Sequence, residues 1–134
     1  MLYLFLANGF EECEALAPLD ILRRANIEVK TVGIGSNIIV GAHNISIMCD
    51  TINKNLNFDN LEGIILPGGM PGTLNLEADS TVQNAIDYCA NNNLLISAIC
   101  AAPQILGHKG LLNGKNATCF PGFEDELNGL MNFH

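Results

Sequence analysis

Basic residues are scarce in this sequence: six lysines and arginines against fourteen aspartates and glutamates leave a formal charge of −8 over 134 residues. Apart from Arg23-Arg24 no two basic residues are adjacent. A nucleic-acid partner is therefore not expected, because binding a phosphate backbone needs a concentrated positive footprint. The cysteines Cys13, Cys49, Cys89, Cys100 and Cys119 are odd in number, widely spaced and lack any C-x-x-C pair. That pattern predicts neither a disulfide framework nor a zinc site, and it fits a reducing, cytoplasmic compartment. The opening run Leu2–Ala7 has no basic residue before it and is far too short to span a bilayer, so no membrane partner is expected. Neither the G-x-G-x-x-G nor the P-loop pattern occurs, which argues against a nucleotide cofactor. Repeats and low-complexity segments are absent as well.

With 49% apolar and 15% charged residues, the chain can form one core, and residues 1–134 are read as a single domain. Its most informative stretch is Leu94-Leu95-Ile96-Ser97-Ala98-Ile99-Cys100-Ala101-Ala102-Pro103. The apolar run predicts a buried strand, and Pro103 suits the first turn of a helix, where its missing N–H is no loss. Cys100 is thus placed at a helix N-terminus. There the helix dipole and free backbone N–H groups are expected to favour the thiolate. Ala98 and Ala102 leave room for a sharp strand-to-helix turn that presents a nucleophile.

The remaining pattern alternates strands with helices. Leu2–Ala7 reads as a central strand, and Glu11 opens an amphipathic helix with Ala15, Leu16, Leu19, Leu22 and Ala25 inward and a kink or restart expected at Pro18. Asn26–Ile34 predicts a second strand. A hairpin follows, pairing Ile38–Val40 with Ile45–Met48 around Gly41-Ala42-His43-Asn44. Cys49–Asn60 reads as a loop, Gly63–Leu66 as a strand ending in Pro67-Gly68-Gly69, Thr81–Asn91 as a helix capped by Ser80, and Asn116–Phe120 as a last strand. This order predicts an open, mostly parallel α/β sheet with ligands gathered beyond the C-terminal strand ends.

Three such ends could converge: a carboxylate from Glu11, Glu12 or Glu14, backbone N–H groups from Gly68-Gly69, and the thiol of Cys100. Spacing alone does not choose among the glutamates. Together the groups suffice for nucleophilic addition to a carbonyl, with a proton manager and an oxyanion site. No histidine pairs with Cys100 in the pattern: His108 is expected to interact with carbonyls at a helix end, His43 sits in the hairpin turn, and His134 is terminal. Cys13, Cys89 and Cys119 read as core, whereas Cys49 reads as exposed or at an interface.

The segments Gly9-Phe10-Glu11-Glu12-Cys13-Glu14, Leu66-Pro67-Gly68-Gly69 and Ala98-Ile99-Cys100-Ala101-Ala102-Pro103 resemble the ThiJ/PfpI superfamily, in particular the branch of the human parkinsonism-associated protein deglycase and its bacterial relatives. The resemblance runs from Met1 to about Gly122. It implies a flavodoxin-like three-layer α/β sandwich with a mostly parallel central sheet, usually a homodimer. It also implies that Cys100 is the oxidation-prone nucleophile and Glu14 a protonated acid hydrogen-bonded to it. Gly69 and Ala101 would be the oxyanion N–H donors, and Cys49 a second reactive cysteine near a dimer interface. Family members continue beyond the length of this chain with a further strand and helices. The chain is accordingly read as truncated, cleaved or completed by another polypeptide, with one side of its sheet left open.

Two departures narrow the chemistry. Phe120 stands where that branch often has a histidine before the proline matching Pro121, and Ala101 stands where protease-like members have a histidine. Peptidase activity is discounted, and acid–base work falls to Glu14 and water. The implied activity is a cofactor-independent glyoxalase or deglycase acting on methylglyoxal-type dicarbonyls or early glycation adducts. The alternative is an oxidative-stress sensor or chaperone-like protein working through oxidation of Cys100.

Overall fold

Leu2–Leu6 is buried along its whole length, as an apolar run covered on both faces must be. This strand, β1, is the centre of the sheet in the computed structural model, which describes residues 1–134. Leu2, Leu4 and Leu6 point to one face and Tyr3, Phe5 and Ala7 to the other, so one strand feeds two cores. The chain continues through α1 (Glu12–Arg24), β2 (Val29–Gly33), β3 (Ile38–Val40), β4 (Ser46–Met48), β5 (Thr51–Ile52) and β6 (Gly63–Leu66). Then come α2 (Gly72–Ala78), α3 (Ser80–Asn91), β7 (Leu95–Ala98), α4 (Pro103–His108), β8 (Asn116–Ala117), a 3-10 turn (Glu124–Glu126) and β9 (Asn132–Phe133).

Five strands form one parallel sheet in the order β5-β2-β1-β6-β7. On one face Ala15 and Leu19 of α1 pack on Leu4, Leu6 and Ile65. On the other, Val82, Ile86 and Cys89 of α3 and Ile105 of α4 pack on Phe5, Ile64 and Leu66. The result is the expected flavodoxin-like three-layer sandwich. Strand order reverses between β1 and β6, the point where the crossovers diverge and a crevice opens beyond the strand ends.

Several local expectations are corrected. α1 runs unbroken through Pro18, because Ala15 and Leu19 on either side are held by tertiary packing that outweighs one missing hydrogen bond. Ala25 is exposed. Inside the expected loop 49–60, Thr51–Ile52 pairs with β2 as an edge strand, and α2 forms where turn residues mask a short helix. The α3 cap is Asp79, whose side chain accepts the Val82 N–H, rather than Ser80. The last expected strand shrinks to Asn116–Ala117 and pairs with β9 in a separate two-stranded sheet.

The cysteines are also redistributed. Cys13 lies on the outer side of α1 and is exposed, whereas Cys49 is buried at 6% exposure behind Gly33 and Ile39. Cys89 is core, as its helical spacing predicts, and Cys119 is only half-buried.

β7 is the sheet's other edge strand, opposite β5, and is covered on one face only. Leu95 and Ile99 are 54% and 53% exposed, and with Ile21 of α1 they line an open apolar groove of about 650 Å³.

Candidate active site

The chain leaves β7 through a strained turn. Ile99 N–H donates to the Leu66 carbonyl at 3.3 Å and Ala102 N–H to the Ile99 carbonyl at 3.0 Å; between them Cys100 adopts φ +64°. A β-carbon in the left-handed region is disfavoured by roughly 1–2 kcal/mol. The turn is possible because Ala101 and Ala102 are small and fully packed, at 2% and 0% exposure. The Cys100 carbonyl accepts the Phe120 N–H at 2.8 Å, which ties the far end of the chain to the elbow.

Two neighbouring strand ends complete the site. After β6, Gly68 N–H donates to Glu14 Oε1 at 3.0 Å, and the Glu14 carboxyl is hydrogen-bonded to the Cys100 thiol. Gly68 is the spacer between them: a methyl group there would lie 2.7 Å from Glu14 Oε1 and 2.8 Å from Cys100 Cβ. Gly69, at φ +92°, turns its N–H toward the sulfur, as does Ala101. Of the three glutamates left open by spacing, the fold brings Glu14 to the thiol.

The electrostatics run against the expected helix effect. Burial raises the Cys100 pKa above its ordinary value, the hydrogen bond and charge of Glu14 raise it further, and the N–H groups of Ala101 and Gly69 oppose both. Helix α4 starts three residues after Cys100 and is only six residues long, so its dipole gives little help.

Glu12 and Glu11 serve another structure. Glu12 is buried and accepts hydrogen bonds from the His43 N–H at 2.8 Å and the Ile45 N–H at 3.3 Å, while its Oε1 lies 3.0 Å from His43 Nδ1. This clamp fastens the β3–β4 hairpin to the start of α1. Burial pushes the Glu12 carboxyl up, but these hydrogen bonds together bring it below its ordinary pKa, and His43 is correspondingly raised by Glu12 and Glu11. Glu11, Glu12 and His43 are the group whose ligand atoms approach within 4.8 Å, the spacing that could hold a metal ion. Their mutual pairing is explained by the hairpin clamp.

No histidine reaches the thiol. His108 is bonded to Glu77 and Glu126 instead of helix carbonyls, and the Phe120 ring is 55% exposed. Sequence reasoning missed two contributors: Gly68 as the spacer and Phe120 as a backbone donor. The adjacent glycines after a strand were the available signal for the first; nothing in the residue type signals the second. The apolar groove beside β7 includes Glu14 in its wall but not Cys100. It is an uncovered sheet face more than a substrate pocket.

A parallel sandwich whose switch-point crevice holds a strained cysteine, a carboxyl group and two converging N–H groups defines a flavodoxin-like protein with a candidate site at a strand-to-helix elbow. The chain matches the DJ-1/PfpI family over residues 1–133 and belongs to that family. It is 35% identical over 124 residues to protein DJ-1 homolog A of Arabidopsis thaliana, covering 91% of this chain and 32% of that protein. It is 30% identical over 131 residues to deglycase PH1704 of Pyrococcus horikoshii, covering 95% and 76%. The crystal structure of Drosophila melanogaster DJ-1beta superposes with a TM-score of 0.90 at 31% identity, covering 98% of this chain and 72% of that one. The chain thus spans between about a third and three-quarters of the length of these relatives.

Proposed function

We propose that the protein is a cofactor-independent glyoxalase or deglycase in which Cys100 is the nucleophile. The observation that carries this reading is the convergence of Glu14, Gly69 N–H and Ala101 N–H on one sulfur held at a strained elbow. Relatives named deglycase support the class of reaction.

The chemistry follows from the groups present. The Glu14 carboxylate takes the thiol proton across their hydrogen bond as the sulfur adds to the aldehyde carbon of methylglyoxal. The new C–S bond places the electron pair on the aldehyde oxygen, where the N–H groups of Gly69 and Ala101 stabilise it until Glu14 returns the proton. Glu14 then takes the C1 proton of the hemithioacetal and delivers it to C2 through the enediol, leaving a lactoyl thioester. Water cleaves that bond, releasing lactate and restoring the thiol. At an early glycation adduct, where the former aldehyde carbon already carries the amine or thiol, the sulfur displaces that group. The C–S bond forms as the C–N or C–S bond to the modified group breaks, the thiol proton passes through Glu14 to the departing amine or thiol, and the same hemithioacetal on Cys100 results.

The test is lactate production from methylglyoxal without added cofactor. Wild-type protein is expected to turn over, and Cys100→Ser and Glu14→Leu are expected to lose turnover. Equal turnover by wild type and Cys100→Ser would overturn the assignment.

The alternative reading, an oxidation sensor or chaperone-like protein, uses the same groups, since N–H donors and a carboxylic acid also suit a sulfinate on Cys100. Uptake of two oxygens mapped to Cys100, without turnover of dicarbonyls, would favour it. A homodimer fits the β3–β4 hairpin, whose paired Ile38 and Met48 are 49% and 75% exposed; sedimentation at micromolar concentration tests that. A reducing, cytoplasmic setting suits five unpaired cysteines. No helix is long and apolar enough to cross a membrane.

A further inference from the structure

Helix α4 is a short rod between two fixed points. Its residues Pro103–Gly107 are all buried; Cys100 lies just before one end, and His108 forms the other. The chain after β8 returns along this rod as a strap. At one end Phe120 N–H donates to the Cys100 carbonyl at 2.8 Å. At the other, Leu127 is buried, and Gly107 lies so close that a methyl group there would sit 2.3 Å from the Glu126 carbonyl.

Both ring nitrogens of His108 are engaged. Nδ1 lies 2.6 Å from Glu77 Oε2 on α2, and Nε2 lies 2.5 Å from Glu126 Oε2 on the strap. An imidazole can donate from both nitrogens only as imidazolium; the neutral ring must turn a lone pair toward one carboxylate. Of the two partners, Glu126 is the more exposed, at 48% against 26%, so it is the one that can leave for water.

We propose that His108 is a pH-operated latch: as imidazolium it fastens residues 120–127 to α2 and α4, and on losing its proton it releases Glu126, so that the strap lifts from the Cys100 elbow. The regulatory meaning rests on the reading of Cys100 as the reacting thiol. The latch itself does not.

The charges facing the latch come from every element around it. Glu77 is on α2, and Glu124, Asp125 and Glu126 are in the 3-10 turn. Lys109, the next residue along, is engaged by Asp87 at 2.9 Å and Gln83 at 2.8 Å on α3. The surroundings are therefore predominantly acidic, and the hydrogen bonds of Glu126 and then Glu77 raise the His108 pKa above 6.5. Because the folded value is raised, the fastening is fully present below 6.5 and is lost as pH rises through the raised value. Release thus coincides with the direction in which Cys100, itself raised, gains thiolate. Alkaline conditions both free the elbow's backbone from the strap and favour ionisation of the sulfur.

Hydrogen exchange at the Phe120 amide, corrected for intrinsic rates and followed by mass spectrometry from pH 6 to 9, reads the strap directly. Protection in the wild type is expected to fall by about tenfold or more over that range. His108→Gln is expected to show low protection throughout, and His108→Arg, charged at every pH used and forked to reach two carboxylates, is expected to keep protection at pH 9. Should His108→Gln fail to fold by circular dichroism, Glu126→Gln serves: its protection at pH 6 is expected to fall to the wild-type level at pH 9. Wild-type protection that is the same at both pH values within twofold, or either Gln variant matching wild type at pH 6, overturns the latch. Dicarbonyl turnover does not enter this measurement, so failure of the enzymatic reading is seen separately.

Discussion

Gly68→Ala probes the Cys100–Glu14 contact without deleting either group. Gly68 is not among the positive-φ glycines, so alanine is allowed by its backbone, and the whole effect comes from the added methyl group. That carbon would lie 2.7 Å from Glu14 Oε1, 2.8 Å from Cys100 Cβ and 2.9 Å from the Ile99 carbonyl. Restoring ordinary contact at about 3.5 Å requires the carboxylate to retreat by about 0.8 Å and the cysteine by about 0.7 Å. Overpacking of this kind costs about 1–3 kcal/mol, which for a domain of this size corresponds to a fall in Tm of roughly 4–12 °C. Burial of the thiol remains while the Glu14 contribution weakens, so the Cys100 pKa is expected to fall toward its ordinary value and stay above it. Each lost 1.4 kcal/mol of transition-state stabilisation lowers the rate about tenfold, and with the proton donor displaced a loss of about ten- to a hundredfold in dicarbonyl turnover is expected. Thiolate absorbance against pH and lactate formation give the two readouts. An alanine variant with both unchanged within twofold would show that Glu14 and Cys100 do not act as a pair.

Other perturbations separate the core, the acid response and the open face. Phe5→Ala removes a fully buried ring from the central strand and is expected to cost about 3–5 kcal/mol in chemical denaturation, a large part of a typical domain's stability. Asp50 is pushed up by burial but brought below 3.8 overall by Thr31 and Arg23, so its contribution is lost as pH falls below 3.8 through the lowered value; Asp50→Asn should flatten the acid limb of the stability profile by up to one proton. Ile21→Lys, on the 64% exposed side chain beside the groove, is expected to change stability by no more than about 0.5 kcal/mol while raising the concentration at which light scattering begins.

The strand-end logic was legible in residues 2–7, 63–69 and 94–103 because buried parallel strands leave continuous apolar runs, and the turn that follows each must carry glycine, proline or small side chains. The choice of Glu14 over Glu11 and Glu12 was not legible from helical spacing, since all three lie in or beside the first turn of α1. It is decided by where the hairpin docks, and Glu12 is taken by His43 and Ile45. The thiol's electrostatics were misread for a related reason. A dipole can be inferred from a helix start, but burial of Cys100 and the approach of a carboxylate from another strand are tertiary facts. The exposure of Cys13 and the burial of Cys49 turned on the same absence of tertiary information.

The central position of β1 has a kinetic consequence. Leu2 pairs with Val29 on one side and with Gly63 on the other, so β1, made before both of its neighbours, acquires the second of them only after β6 has been made. At ribosomal rates of about 5–20 residues per second, the roughly thirty residues between β2 and β6 take about 2–6 s to appear. During that interval one edge of Leu2–Leu6, the most continuously apolar strand of the sheet, has no partner within its own chain. Nascent-chain yield is therefore set by how that edge is shielded during synthesis, and charge placed beside it in the unpaired stage will govern the balance between productive folding and capture by other emerging chains.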